Sequence, residues 1–363
     1  MGSNPSPGLL YMPFKKELIQ LQREIDKRLE IFFEKKLRES ENSWLSKEMV
    51  KSIKDFSLRG GKRIRPILFY YGYLIGGGKK KKEALDASIS VELIHNFLLI
   101  HDDIIDRDDL RRGEPTIHHY YEKIYQKTSK DALHLGNSAA ILAGDITSVF
   151  GYEILANSNF PTLLKNKAIQ KLNQTLSEVV DGQVLDVFLK INYRLNEKEI
   201  FKIMEKKTAK YTFEAPLSMG AILAGAGKKT LTQINKFALP LGISFQIRDD
   251  ILGMFGDEEK TGKPSGADLR EGKQTILIFF GRQLANKEQK KIIDQNLGNP
   301  KLTREKLEKT REIIIKTGAL SSAQNLAKEF SLKAKEEIKK TDFPLEAKIF
   351  LEDFTEYIAE REK

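Results

Sequence analysis

VELIHNFLLIHDDIIDRDDLRRGEPT, Val91 to Thr116, is the stretch on which the reading of this chain turns. Its first half is apolar at helical spacing, with Val91, Ile94, Leu98, Leu99 and Ile105 in one or two broad stripes, which predicts a core helix. The C-terminal end of such a helix carries partial negative charge and favours cations. Here it carries carboxylates instead, Asp102, Asp103 and Asp106. Asp102 and Asp106 are four apart and share a face, with Asp103 beside them. Like charges this close on an apolar helix are costly to desolvate unless cations neutralise them. Arg111 and Arg112 follow at once. Carboxylates that collect hard cations, beside guanidinium groups that grip phosphate oxygens, describe a metal–diphosphate site. An acidic helix end that simply faces water is the competing reading of DDxxD alone.

A second copy decides between them. FQIRDDILGMFGDEEKTGKPSGADLREGKQT, Phe245 to Thr275, again closes an apolar helical run with Asp249 and Asp250. Asp257 falls two turns beyond Asp249, near the same face, and Lys263 and Lys273 follow in glycine-rich, loop-like surroundings. Two aspartate-tipped helices facing each other across a cavity would hold several Mg²⁺ ions against one diphosphate, which neither could do alone. A nucleotide P-loop does not fit GDEEKTGKPS. The spacing from Gly256 to Gly262 is one residue too long, and Pro264 stands where Ser or Thr should bind magnesium.

At these residues the chain closely resembles the trans-isoprenyl diphosphate synthases, the polyprenyl synthetase family. LIHDDIIDRDDLRRGEPT is similar to that family's first aspartate-rich motif and FQIRDDILGMFGD to its second. GGKRIRP (Gly60 to Pro66), GQVLD (Gly182 to Asp186) and KTAKYTFEAP (Lys207 to Pro216) resemble three more, in the same order. The resemblance implies that Asp102, Asp103, Asp106 and Asp249 hold metal, with Asp250 and Lys207 also catalytic. It implies that Lys62, Arg65, His95 and Arg112 bind isopentenyl diphosphate. Arg111, Lys207, Thr208, Lys263 and Lys273 are then expected at the allylic diphosphate. Phe245, Gln246, Gln183 and Asp186 resemble family cavity residues, though ordinary helix packing would also explain them. Lys62 and Arg65, three apart, are expected as neighbours on the first turn of a helix, whose N-terminal end attracts anions. Gly253 departs from a strict second DDxxD and leaves open which carboxylates besides Asp249 touch metal.

The rest of the chain is read in that frame. It has 363 residues, 40% hydrophobic and 31% charged, with no cysteine, so no disulfide or zinc-thiolate site is available and a reducing, cytoplasmic setting fits. The formal charge of +10 is better explained by two diphosphate substrates than by nucleic acid, because no aromatic-interleaved basic patch or DNA-reading motif is present. Residues 1–12 read as a disordered leader and 13–363 as one all-α domain. Helical periodicity predicts helices over Phe14–Glu39, Trp44–Phe56, Ile64–Ile75, Ala84–Asp106, Asp131–Ala156, Pro161–Leu189, Glu197–Ala226, Leu231–Phe255 and Gln274–Asn286. Arg304–Lys340 and Leu345–Glu360 complete the set. No strand alternation exceeds four residues, and no apolar run reaches the ~18 residues of a membrane span. The resemblance implies a bundle of roughly ten or more helices around a central cavity, the isoprenoid synthase type I fold.

The implied reaction is condensation of isopentenyl diphosphate with an allylic diphosphate, using three Mg²⁺ ions, in a homodimer. Phe97 and Leu98, one turn before Asp102, are expected to limit chain length. Helical geometry puts Leu98 on the aspartate face, whereas Phe97 lies about 140° from it. It is the resemblance that selects Phe97: an aromatic there, with no insertion inside DDxxD, is similar to archaeal-type synthases that stop at geranylgeranyl diphosphate. Farnesyl or longer prenyl diphosphates are the alternatives, followed by a terpene cyclase or a non-catalytic partner subunit.

Overall fold

The computed structural model describes residues 13–40, 44–189, 196–256 and 265–360. The expected leader lies outside the described residues, as do Asp257 and Lys263 of the second aspartate-rich stretch.

Helix α1 (Phe14–Glu39) starts after Pro13 and buries Leu18, Leu21, Ile25, Leu29 and Phe33, a stripe at helical spacing. Helices α2 (Trp44–Leu58) and α3 (Ile64–Ile75) follow, and α3 is apolar nearly all round because it is central. Helix α4 (Lys81–Asp106) carries the first aspartate motif at its C-terminal end. Helices α5 (Ile117–Tyr125), α6 (Ala132–Asn157) and α7 (Thr162–Leu189) come next. α6 packs against α4 and α5.

From Glu197 to Leu223 the chain is helical throughout, as expected, but not uniformly α. Helix α8 (Glu197–Ile203) passes into a π-helical stretch, Met204–Glu214, and then into α9 (Ala215–Leu223), which packs against α3. The Ala215 N–H bonds back to the Lys210 carbonyl, five residues away. Pro216 has no N–H to continue that pattern, so the α geometry resumes there. π turns are rare and cluster at functional sites, and this one carries KTAKYTFE. Helix α10 (Lys228–Phe255) holds the second aspartate motif. Helices α11 (Ala267–Glu271), α12 (Ile276–Leu284), α13 (Lys287–Asn296), α14 (Arg304–Lys316), α15 (Ala319–Lys339) and α16 (Leu345–Glu360) complete the described chain.

Several expectations need correction. Arg304–Lys340 is two helices, because Gly318 adopts φ 82 and breaks the run. Helix α13 has no counterpart in the sequence reading, although Asn286 and Gln289 form a reciprocal capping box at its start. A two-residue antiparallel ladder pairs Leu110–Arg111 with Glu114–Pro115. Helix α6 is long and apolar enough by length and composition to cross a membrane, contrary to the sequence reading. Its many small residues escape a search for continuous large apolar runs. In the fold they serve close packing: a Cβ on Gly151 would meet Ile94 at 2.8 Å.

The core divides into two apolar clusters. One joins α1 to α4, α6, α7, α9, the first part of α10 and α16. The other gathers the end of α10 with α8, α11 to α14 and the first half of α15, whose second half belongs to the first cluster. Two glycines let the centre close. A Cβ on Gly72 would fall 2.0 Å from the Leu217 carbonyl oxygen, and one on Gly220 1.9 Å from that of Phe69, so α3 and α9 touch backbone to backbone. That contact seats α3, and with it the GGKRIRP loop, against the π-helical segment.

Candidate active site

A cavity of about 830 Å³ lies between α4, α7, the π-helical segment and α10, each contributing residues to its wall. From α4 come His95, Phe97, Leu98, Asp102 and Ile105; from α7, Gln183 and Asp186 with the apolar Val180, Val184 and Phe188. Lys207 and Thr208 line it from the π-helical segment, and Phe245, Gln246, Asp249 and Asp250 from α10. Lys62, Arg65 and Lys273 also reach the wall. Most of the residues singled out in the sequence therefore meet in one cavity.

The three aspartates of the first motif have separate cations. Asp102 Oδ1 accepts from Gln183 Nε2 at 2.9 Å and faces Lys207 Nζ at 3.5 Å, while Lys207 also donates to Asp186 Oδ2 at 2.9 Å. Asp103 is buried and is not part of the cavity wall; it accepts from Arg111 Nε at 2.6 Å. Asp106 lies 3.1 Å from Lys273 Nζ. Lys273 belongs to the segment after the second motif, so this ion pair joins the two motifs. Lys273 also meets Glu271 at 2.6 Å and Asp268 at 3.5 Å. Burial alone would lower the Lys273 pKa, but Asp268, Asp106 and Glu271 outweigh it and hold the ammonium charged, well above the usual lysine range. Lys207 is raised in the same way, its burial outweighed by Asp102 and Asp186.

On α10, Asp249 faces the cavity, and Asp250 is enclosed by hydrogen bonds from Gln246 Nε2 at 2.8 Å and the Ile276 N–H at 3.4 Å. Burial, then the neighbouring Asp268 charge, push the Asp250 carboxyl well above the usual range. Thr208 Oγ1 donates to Gln246 Oε1 at 2.5 Å, linking the π-helical segment to this carboxylate. The departure at Gly253 has a physical reason. A Cβ there would meet Asp268 Oδ2 at 2.5 Å, so glycine leaves room for a carboxylate that arrives from α11. Asp268 lines the cavity and was not identified in the sequence. The signal was GADLREGK, read only for its lysine.

The second cationic group stands on the α3 side. Lys62 precedes α3 rather than sitting on its first turn, because the helix begins at Ile64. Arg65 Nη2 donates to Thr212 Oγ1 at 2.7 Å, and its guanidinium lies 4.6 Å from the centre of the Tyr211 ring. His95 Nδ1 is 3.1 Å from the Tyr211 hydroxyl. Burial, with Arg65 and Arg112 nearby, holds the His95 pKa well below its ordinary value, so the ring is neutral at pH 7. Tyr211 and Thr212 were missed in the sequence, although they lie inside KTAKYTFEAP. Arg111 and Arg112 do not line the cavity. Arg112 and Gly113 occupy the centre of the hairpin turn with φ 55 and 79, as a type I′ turn requires. The turn lays the Arg112 guanidinium on the Gly60 carbonyl.

Among the described residues, no three His, Asp or Glu side chains lie close enough together to hold a metal ion by themselves. The oxygen donors on the wall are carboxylates from α4, α7, α10 and α11 and the Gln183 amide oxygen, which is buried without a hydrogen-bond partner. Such a set suits Mg²⁺, which takes one or two protein carboxylates and completes its shell with water and phosphate oxygens. The residues fit that ion.

The family profile described as polyprenyl synthetase matches residues 46–314. A geranylgeranyl diphosphate synthase of Saccharolobus solfataricus is 38% identical over 276 residues, 75% of this chain and 77% of the relative. One of Sulfolobus acidocaldarius is 34% identical, with 82% and 86% covered. Among solved structures, a geranylgeranyl pyrophosphate synthase of Corynebacterium glutamicum, complexed with isoprenyl diphosphate and magnesium, superposes with a TM-score of 0.90. It is 31% identical and covers 95% of this chain and 99% of its own.

Because lysines already neutralise Asp102 and Asp106, Mg²⁺ alone should bind weakly and diphosphate should recruit it. Calorimetric titration of Mg²⁺ into the protein with saturating inorganic diphosphate, corrected for Mg²⁺–diphosphate association in solution, is expected to show at least about tenfold tighter binding than without it, ~1.4 kcal/mol of coupling. Equal affinities would mean that the carboxylates form a complete site unaided.

Proposed function

The chain belongs to the polyprenyl synthetase family, and on that premise we propose that it is a magnesium-dependent trans-prenyltransferase that condenses isopentenyl diphosphate with an allylic diphosphate to give geranylgeranyl diphosphate. The observation that carries this reading is the pairing of two cationic groups in one cavity. Lys207 and Lys273 stand among the aspartates, and Lys62 and Arg65 stand apart from them on the α3 side. Two diphosphates need two such groups. A terpene cyclase, which takes one diphosphate, would need only the first.

The chemistry follows. The allylic diphosphate lies against Asp102, Asp106 and Asp249, and its chain runs along the apolar wall. Mg²⁺ bound there, three ions in this reading, supplies Lewis-acid charge to the leaving group. Lys207 and Lys273 swing from carboxylate to phosphate oxygens as the carbon–oxygen bond breaks and its electron pair leaves with diphosphate. The double bond of isopentenyl diphosphate, oriented by Lys62 and Arg65, attacks the allylic carbon. A proton is then lost from the neighbouring carbon to the departed diphosphate, and the new double bond forms. The neutral His95–Tyr211 pair closes this half of the site without adding a charge beside the cation. Apolar walls exclude water that would quench it.

Product length is read from Phe97. Its ring stands edge-on to His101 at 5.0 Å, and both line the cavity. His101 is backed by α6, where its Nε2 lies 3.1 Å from the Ile141 carbonyl and a Cβ on Gly144 would meet it at 2.3 Å. An aromatic pair braced by a helix makes a stiff floor. The homodimer rests on another feature of α6: Leu135, Leu142 and Val149, seven apart, are exposed along one face, a spacing that suits packing against a second copy. A cytoplasmic location, consistent with the absence of cysteine, completes the reading.

With Mg²⁺, isopentenyl diphosphate and each allylic primer in turn, the purified protein is expected to yield geranylgeranyl diphosphate by mass spectrometry. Asp102→Ala or Asp249→Ala should lower turnover by about two orders of magnitude or more with the fold intact; near-normal turnover in either sinks the assignment. Leu142→Glu should convert a dimer to a monomer in light scattering, and an unchanged mass would move the interface elsewhere. Phe97→Ala should open the floor and shift products to longer chains. An unchanged product spectrum at normal activity would remove Phe97 as the determinant.

A further inference from the structure

Lys62 and Arg65 are carried by a loop whose backbone would not hold its shape unaided. Gly60 (φ 88), Gly61 (φ 138) and Arg63 (φ 50) all have positive φ. Glycine tolerates this region; an arginine there is strained and persists only where its surroundings over-determine it. They do so here. The Arg63 side chain is fully buried, with 0% exposure. Its Nε donates to Asp26 Oδ1 at 2.7 Å, its Nη1 to Glu92 Oε1 at 2.7 Å, and its Nη2 to the Ser57 carbonyl at 2.8 Å.

The three acceptors come from α1, α4 and the end of α2, so one guanidinium joins three helices behind the cavity wall. Glu92 is itself buried and lies one turn before His95. The same loop receives the hairpin: Arg112 donates to the Gly60 carbonyl, and a Cβ on Gly61 would stand 3.0 Å from the Arg112 guanidinium. Arg63 does not line the cavity, yet Lys62 and Arg65 on either side of it in the motif do.

We infer that Arg63 is a positioning residue for the isopentenyl diphosphate half of the site, its hydrogen bonds to Asp26, Glu92 and Ser57 fixing the backbone from which Lys62 and Arg65 reach the substrate. The inference rests on the reaction proposed above. Its consequence is selective. Loosening the loop misplaces Lys62 and Arg65 while leaving Lys207 and Lys273 on their own supports. KM for isopentenyl diphosphate should therefore rise, with KM for the allylic primer and kcat at saturation nearly unchanged, the pattern of lost substrate binding. A residue needed only for folding would lower the active fraction, and hence kcat, and leave both KM values where they were.

Three variants test this: Asp26→Ala, Arg63→Met, and Arg63→Met combined with Glu92→Leu. Each is measured for KM of both substrates and for thermal unfolding. Asp26 is partly exposed, so its variant should fold and raise KM for isopentenyl diphosphate roughly threefold, as loss of one solvent-screened ion pair predicts. Arg63→Met should raise it about tenfold or more and lower the unfolding temperature, because Glu92 is left buried and unpaired. Replacing both partners with apolar groups should recover thermal stability but not KM. Unchanged KM for isopentenyl diphosphate in Asp26→Ala, or its return to the wild-type value in the stable double variant, overturns the inference. So does an equal rise in both KM values. If the Arg63 variants do not fold, Asp26→Ala decides alone. A wild-type protein that consumes no isopentenyl diphosphate would refute the proposed function instead.

Discussion

Carboxylates crowded at one end of an apolar cavity repel one another, and that repulsion governs where the charged side chains around it stand. Two unit charges 4 Å apart interact by about 4 kcal/mol at the effective dielectric near a protein surface. Folded domains are stable by only about 5–15 kcal/mol. Three aspartates at the end of α4 are tolerable only because each has a cation of its own, Lys207 for Asp102, Arg111 for Asp103 and Lys273 for Asp106. Those cations come from the π-helical segment, the hairpin and the segment after α10. Neutralising one helix end therefore requires that distant parts of the chain converge, and the cavity is what they enclose.

The three pairings are not equivalent. Asp103 is 1% exposed and meets the rigid fork of Arg111, an arrangement suited to tying the hairpin down. Lys207 and Lys273 are flexible point charges on the cavity wall. In the proposed reaction they would exchange a carboxylate for a phosphate oxygen by side-chain rotation. Of the three carboxylates only that of Asp102 lines the cavity; the Asp106 side chain, 3% exposed, is covered beside Lys273. Helical spacing treats all three alike and gives no hint of this division.

Much of the architecture was legible because local signals agree with the packing. The bounds of α1, α3 and α16 coincide with those read from the sequence. In the first and last of these, a proline stands immediately before the helix. The π-helical segment was not visible, since its apolar pattern over a few residues is too close to that of an α-helix. Asp268 was missed because its significance depends on Gly253, fifteen positions earlier, where the absence of a side chain makes room for it. Lys62 was placed on a helix because sequence spacing reveals neighbours only once the helix start is known. The true start is set by Arg63, whose left-handed backbone follows from buried partners on three other helices.

The described residues with positive φ that are not glycine are Arg63, Arg107 and Arg112, and all three flank the polar end of the cavity. Arg107 ends α4 where glycine would be usual: the Asp108 N–H returns to the Asp103 carbonyl at 2.9 Å and the Arg107 N–H to that of Ile104 at 3.3 Å. The helix stops directly after Asp106, and the chain turns back to present the hairpin. Arg112 strains the hairpin turn and lies on the Gly60 loop, which Arg63 holds from behind. Strain of this kind survives only in surroundings that permit one conformation. The apolar walls have no comparable strain; they are built from side chains such as Phe97, Leu98 and Val184 on regular helices. Under the proposed function, such a division would hold the ionising end of the site fixed and leave chain length to the side chains of the apolar wall.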